Sequence, residues 1–201
     1  MWIVEAYASL LLYRRTTKTL RRSKEEIRKL DTYLEAVSAV QGSAQPRTII
    51  LPGLPHLEWM TENLSGFGGT EIDGRTYYTY DEAVEAVKQL GNGWRLPTRG
   101  EMVDLDDLGS TWDEDRRGRW FGGNHNTDHE GSLFLPASGF RDRETGALAA
   151  VGTVGLCWFS SPAAAGNVNA GYLYFYSGNV GPLNNTDRPS AFPVRCVRNL
   201  K

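Results

Sequence analysis

The stretch YLYFYSGNVGPLNN, Tyr172 to Asn185, alternates tyrosine with apolar residues and then changes to glycine and amide residues. Neighbouring side chains of a β-strand point to opposite faces, so the three tyrosines share one face while Leu173 and Phe175 share the other. The pattern predicts a strand whose Leu/Phe face packs in the core and whose tyrosine face is an exposed platform. In the alternative, the tyrosines only make cross-strand contacts on a half-buried sheet.

This stretch belongs to a longer segment without charge. From Thr145 to Thr186 there is no Asp, Glu, Lys, Arg or His, although 23% of the whole chain is charged. Tyrosine combined with Ser, Gly and Asn is the composition of antibody paratopes, because tyrosine covers a large area at a small entropic cost while Asn and Ser adapt their hydrogen bonds. The uncharged segment is therefore a candidate ligand-binding surface.

Length and composition limit the class of protein. A chain of 201 residues, 40% of them hydrophobic, can bury one core and carry an appendage. Its net charge of -2 argues against a nucleic-acid-binding module, which needs a basic face to neutralise phosphates. Two cysteines without CxxC or Cys/His spacing predict neither a disulfide-rich scaffold nor a zinc site.

The first 45 residues are expected to form a helical segment. WIVEAYASLLLY, near the amino terminus, has no preceding basic residue and is too short to span a bilayer, so neither an export signal nor membrane insertion is expected. Between Thr16 and Gln41, charged residues separate apolar ones at spacings of seven, three, four and three. Such an apolar seam favours one of two structures. The first is a short coiled-coil stalk that forms a dimer or trimer, and the second is a helix packed on its own domain. The seam residues are Leu20, Ile27, Leu30, Leu34 and Val37.

Residues 46–201 are predicted to form one α+β domain. LEWMTENL (Leu57 to Leu64) begins it, and IDGRTY (Ile72 to Tyr77) contains a turn. Two helices, each beginning after a Thr or Asp, are then predicted within TYDEAVEAVKQLGNGWRLPTRGEMVDL. The rest predicts short strands separated by Gly, Pro, Asn and Ser, which points to α+β architecture. Those strands are SLFLPA, GALAAVG, LCWFSS, YLYFYS and FPVRCVR.

Seven motifs, taken in order, carry a resemblance to a known family. The motifs are LEWMTENL, GWRLPTRGEM, GRWFGGN, LFLPASGFRD, VGLCWFSSP, GYLYFYSGNVGPLNN and FPVRCVR. Together, from Leu57 to Arg198, they resemble the C-type-lectin-fold variable proteins of diversity-generating retroelements. That family includes phage tropism determinants at tail-fibre tips and bacterial surface proteins. The resemblance implies a C-type-lectin-like fold with a ligand-binding face and no enzymatic activity.

The resemblance also implies a division between scaffold and variable positions within about 155–191. In the family, mutagenic reverse transcription changes residues encoded by adenine-containing codons. The implied scaffold residues are Trp158, Leu173, Phe175, Phe192, Val194 and Val197. Among them, Trp158 is expected on the buried side of its strand, with Leu173 and Phe175 packed nearby. The implied ligand-binding positions are Leu156, Phe159, Ala163, Ala165, Gly171, Tyr174, Tyr176, Gly181, Leu183, Thr186, Asp187 and Ser190.

Metal and cofactor sites are not predicted. The chain has no Trp-Asn-Asp or Glu-Pro-Asn triplet of calcium-dependent lectins, and the acidic residues from Asp104 to Asp115 do not follow EF-hand spacing. His125 and His129 are four residues apart, but Asn, Thr and Asp between them indicate a loop.

An enzymatic alternative arises because formylglycine-generating enzymes resemble the same broad fold and use paired cysteines. Cys157 and Cys196 are the only thiols, and neither lies in an obvious electropositive setting with a histidine that would lower its pKa. The preferred interpretation is a phage receptor-binding protein, in the virion or the cytoplasm, that recognises a protein or cell-surface receptor. A bacterial ligand-sensing or adhesion protein is the alternative.

Overall fold

The computed structural model describes residues 23–30, 32, 46–160 and 168–200. The chain divides into two units, Met1–Gln45 and Pro46–Lys201. In the first unit, residues 23–30 lie in a helix, α1, where Ile27 is 58% exposed and Leu30 is 61% exposed. The other predicted seam residues, Leu20, Leu34 and Val37, lie outside the described residues. No helix in the described parts combines the length and apolar character needed to cross a membrane.

Two helices of the second unit begin with the same capping motif. Helix α2 (Tyr80–Leu90) follows Thr79, whose hydroxyl accepts from the Glu82 amide while the Glu82 carboxylate accepts from the Thr79 amide. Helix α3 (Arg99–Asp107) follows Thr98, which forms the same reciprocal pair with Glu101. These capping boxes satisfy amides that the helices leave unpaired, so the starts of both helices are determined locally.

The remaining elements are short strands that pair antiparallel in five small sheets, with the orders β1-β2-β13, β3-β4, β5-β6-β7, β8-β9 and β10-β11-β12. With the helices, they confirm the predicted α+β class. The strands are β1 (Thr48–Ile49), β2 (Leu57–Met60), β3 (Thr70–Ile72), β4 (Arg75–Tyr77), β5 (Ser110–Asp113), β6 (Gly118–Phe121), β7 (Leu133–Pro136), β8 (Phe140–Arg141), β9 (Leu148–Ala149), β10 (Val154–Trp158), β11 (Asn169–Tyr176), β12 (Asn179–Asp187) and β13 (Val197–Asn199).

The turn between β3 and β4 shows how local sequence positions these strands. Asp73 and Gly74 both have positive φ, 50° and 71°, between the paired residues Ile72 and Arg75. Two consecutive residues with positive φ suit the right-handed twist of a two-residue hairpin, and Asp-Gly is a favoured pair for it. The turn predicted in IDGRTY is therefore a tight hairpin connection.

Hydrophobic clusters cover both faces of the β10–β11 pair. Leu173 and Phe175 belong to the cluster that also contains Trp59, Met102 and Phe121. The opposite cluster contains buried residues of α2 and the fully buried Trp158. The β10–β11 pair is thus packed between two hydrophobic clusters.

The prediction that Trp158 packs beside Leu173 and Phe175 is wrong. Trp158 pairs directly with Tyr172, whereas Cys157 pairs with Leu173. Directly opposed residues of an antiparallel pair share a face, so Trp158 lies on the tyrosine side of the sheet. It remains a core residue, but of the other cluster.

Candidate ligand-binding face

The register of β11 with β12 gathers the tyrosines and several amide and glycine residues on one side of the sheet. Tyr172 lies opposite Asn184, Tyr174 opposite Gly181 and Tyr176 opposite Asn179. We call this set the tyrosine face, defined by Tyr172, Tyr174, Tyr176, Asn179, Gly181 and Asn184. Paratope-type residues that are separated in the chain therefore meet on one surface.

Exposure increases along this face towards the β11–β12 turn. Tyr172 is half-buried, with its ring 6.2 Å from that of Trp158 and 5.0 Å from that of Phe192. Tyr174 is also half-buried, and its ring centre lies 5.9 Å from that of Tyr176, which is 39% exposed. The expected exposed platform is corrected accordingly, because Tyr172 and Tyr174 both pack against the core cluster that contains α2. A ligand has access at the Tyr174 and Tyr176 end.

The edge strand β12 contains an irregularity that presents an apolar side chain. One more residue separates Gly181 from Asn184 than separates their partners in β11, which identifies a bulge. The Asn184 side-chain amide donates to the Gly181 carbonyl at 2.6 Å across the bulge. Leu183 is 42% exposed there. Since bulges bend a strand and redirect side chains, Leu183 is an accessible apolar side chain on the edge strand next to the tyrosine face.

Arg119 of β6 holds the turn that follows Tyr176. Its Nη2 donates to the carbonyls of Tyr176 and Ser177, both at 3.0 Å, and its Nη1 donates to the Ser110 hydroxyl at 2.8 Å. Burial lowers the pKa of Arg119, and the nearby carboxylate of Asp106 partly offsets this effect. Sequence reasoning missed this positioning residue, since the GRWF motif gives no sign that its arginine reaches another strand pair.

Thr186 and Ser190 both hydrogen-bond to Asp187 at the end of β12. The Asp187 carboxylate accepts from Ser190 at 2.9 Å and from Thr186 at 3.1 Å, and it pairs with Arg143. The Ser190 hydrogen bond is the main cause that lowers the pKa of Asp187. The polar groups of Thr186, Asp187 and Ser190 therefore already have partners. A ligand that bound there would have to compete with these hydrogen bonds and with the ion pair.

Three of the predicted binding positions are buried. Leu156 lies on the tyrosine side but within the α2-containing cluster, and Phe159 packs in the opposite one. Gly171 is buried, and the Phe159 ring leaves no room for a side chain there, since it would lie 2.1 Å from an ideal Cβ. Expecting these three on an exposed face was wrong. The predicted positions Ala163 and Ala165 lie outside the described residues.

Both thiols are buried and held in the protonated form. Desolvation raises the pKa of Cys157 to about 11 and that of Cys196 to about 12. The Cys157 sulfur accepts a hydrogen bond from the Arg195 backbone amide at 3.2 Å. Since the thiolate is the nucleophilic form, these environments disfavour thiol chemistry near neutral pH.

The histidines and the acidic segment have structural partners. His129 lies in a loop, stacks on Trp120 with ring centres 4.4 Å apart and bonds through Nδ1 to the His125 carbonyl. The Asp113 carboxylate accepts from the Arg116 amide and the Trp120 indole. Within the described ranges, no group of three or more His, Cys, Asp or Glu residues is arranged to hold a metal ion.

No family model matches the chain, and no curated protein or solved structure matches it.

Proposed function

We propose that this protein binds a protein or cell-surface receptor through the tyrosine face, as a variable protein of a diversity-generating retroelement. In this proposal the second unit is a C-type-lectin-like scaffold, and the first is an oligomerising helix. The role is that of a phage receptor-binding protein at a tail-fibre tip. The motif resemblance from Leu57 to Arg198 supports this assignment.

The observation that carries the proposal is the register of β11 with β12. It places Tyr174 opposite Gly181 and Tyr176 opposite Asn179, so aromatic rings stand beside small and amide residues on one surface. Such a surface combines rigid apolar area with adaptable hydrogen bonding. The raised pKa values of both thiols favour this binding role over thiolate catalysis.

The accessible part of the tyrosine face is modest, so repeated copies would strengthen binding. A standard interface covers about 800 Å² per partner, and a face with one exposed and one half-buried tyrosine is at or below that size. Linking several faces through the first unit raises the apparent affinity, by about 100-fold or more for favourable geometry, without a new contact.

We therefore expect the full chain to be a dimer or trimer and the chain 46–201 to be a folded monomer. The spacing of Leu20, Ile27, Leu30, Leu34 and Val37 is that of a coiled-coil seam. Light scattering on both chains measures the association. In the full chain, Ile27→Gln with Leu30→Gln should reduce it, whereas Arg28→Gln with Lys29→Gln should not. A monomeric full chain would contradict the seam.

The retroelement assignment predicts a feature of the gene. We expect a second, non-identical copy of the segment that encodes about 155–191, beside a reverse transcriptase gene. The two copies should differ at adenine-containing codons for implied binding positions such as Tyr174, Tyr176 and Leu183, and agree at Trp158 and Phe175. Sequencing the flanking DNA checks this. If no second copy is present, the retroelement assignment fails, while binding through the face is still tested separately.

A further inference from the structure

Apart from the tyrosine face, the second unit contains a concave site that shares no residue with it. This pocket has a volume of about 550 Å³ and lies between the segment after β2, the start of β4, the turn before β6 and strand β7. Sites for small ligands commonly have volumes of about 300–1,000 Å³. The pocket is thus large enough to enclose a small molecule.

The charge of the lining is strongly positive. Arg47, Arg75, Arg116 and Arg195 line the pocket, and Glu62 is the one acidic residue among the lining residues. Glu62 forms an ion pair with Arg47. Among the described residues, no carboxylate forms an ion pair with the other three arginines. In the described parts, a protein with a net charge of -2 thus gathers three arginines without an ion-pair partner at one concave site, and Asp113 is the carboxylate whose charge acts on Arg116.

Arg195 is the buried member of this group. It is only 1% exposed, and its guanidinium donates to the Asn63 side chain through Nε and Nη2 and to the Met60 carbonyl through Nη1. A guanidinium has five N–H donors, so these three bonds leave two without an acceptor in the described parts of the chain. Burial lowers the pKa of Arg195 to about 10, since desolvation penalises its charge. An anion in the pocket would offset this penalty.

Arg116 adds a flat, partly apolar wall. Its guanidinium carbon lies 4.7 Å from the centre of the Trp120 ring and 4.3 Å from that of the Phe134 ring. Stacking uses the faces of the planar guanidinium, so its in-plane N–H groups can still donate to an anion. Within the described residues, none of these groups has a hydrogen-bond acceptor. Arg75 is exposed on the same pocket and donates only weakly, to the Asp73 carbonyl at 3.4 Å.

We propose that this pocket binds a small anion, a carboxylate or a phosphate, that carries a flat apolar group. The anionic group contacts the in-plane donors of Arg116 and Arg75, and the positive charge of the buried Arg195 attracts it electrostatically. The apolar group contacts the half-buried lining residues Trp120, Phe134 and Pro136. This function is independent of receptor binding by the tyrosine face.

Four probes test the proposal on the full chain: phenyl phosphate, benzoate, inorganic phosphate and benzyl alcohol. Binding is followed by NMR through the indole N–H signal of Trp120, identified by its loss in Trp120→Phe. Phenyl phosphate or benzoate should shift this signal at lower concentration than inorganic phosphate does, and the neutral alcohol should have little effect. The tighter of the two aromatic anions identifies the preferred anionic group.

Substitutions then locate the site. Arg116→Ala and Arg75→Ala should each weaken binding by about tenfold or more, because each removes charge-assisted hydrogen bonds. Arg117→Ala is the matched control, since it removes the same charge from an exposed neighbour that pairs with Glu114 and does not line the pocket. Melting temperatures verify that all three variants fold. The proposal is overturned if no probe shifts the Trp120 signal, if benzyl alcohol binds as well as the anions, or if Arg117→Ala weakens binding as much as Arg116→Ala.

Discussion

Replacing Trp158 with alanine should lower the free energy of unfolding by about 3–5 kcal/mol. The indole is fully buried and stacks on Phe192 with ring centres 4.2 Å apart. It also meets the Tyr80 ring edge-on at 5.6 Å, and its N–H donates to the Tyr78 carbonyl at 2.7 Å. The substitution therefore opens a large cavity at the centre of one cluster and removes a buried hydrogen bond. Urea denaturation of both proteins measures the difference.

Trp158→Phe is the matched control for this effect. Phenylalanine keeps most of the ring contacts but cannot donate to the Tyr78 carbonyl, which still accepts from the Phe192 amide. The loss should then be close to that of one hydrogen bond plus imperfect packing, about 1–2 kcal/mol. If the alanine variant unfolds at the same urea concentration as the native chain, the assignment of Trp158 to the core is incorrect.

Elements set by local interactions were predictable from the sequence. The Thr-x-x-Glu pairs Thr79–Glu82 and Thr98–Glu101 mark the starts of α2 and α3, because each pair satisfies its own helix amides. The Asp-Gly turn at Asp73 is likewise local. Alternation in YLYFYS also separated Leu173 and Phe175 from the tyrosines correctly, since it follows from strand geometry alone.

Strand β12 shows where local reasoning failed. Asn179–Asp187 is rich in Gly, Pro and Asn, which are depleted in strands, so the sequence placed a connection there. Pairing with β11 over most of its length makes it a strand. The burial of Leu156 and the half-burial of Tyr172 have a similar cause. Both depend on packing against α2 and Phe192, which are distant in sequence.

The position of Trp158 depended on strand register. Alternation within LCWFSS does not say which residue lies opposite Leu173, and a shift of one residue moves every side chain to the other face. The burial of Arg195 was also unpredictable, because its acceptors, Asn63 and Met60, come from the opposite end of the domain's sequence. The pocket that it lines could not be predicted for the same reason.

Replacing both Tyr174 and Tyr176 with alanine should abolish receptor binding and leave the fold intact. An aromatic anchor at the centre of an interface contributes at least about 2 kcal/mol, so the loss of either tyrosine should weaken binding by about 30-fold or more, and the loss of both should make it undetectable. Tyr176 is 39% exposed and Tyr174 is half-buried, so their removal opens no enclosed cavity like that of Trp158→Ala. We expect a melting temperature within a few degrees of the native value. Tyr176→Ala alone should give a smaller binding loss and an even smaller change in melting temperature.

Ile50→Ala provides the control for the loss of exposed apolar surface. Ile50 is 48% exposed and lies outside the tyrosine face. Its substitution should change neither the melting temperature nor the binding.

The most direct test is to titrate labelled native protein, Tyr174→Ala/Tyr176→Ala and Ile50→Ala against a panel of intact bacterial strains. We predict that the native protein and Ile50→Ala saturate the same strain at the same concentrations, while the folded double variant shows no saturable binding. Equal binding by the double variant, or loss of its fold together with its binding, would show that the tyrosines are structural and contradict the proposed function.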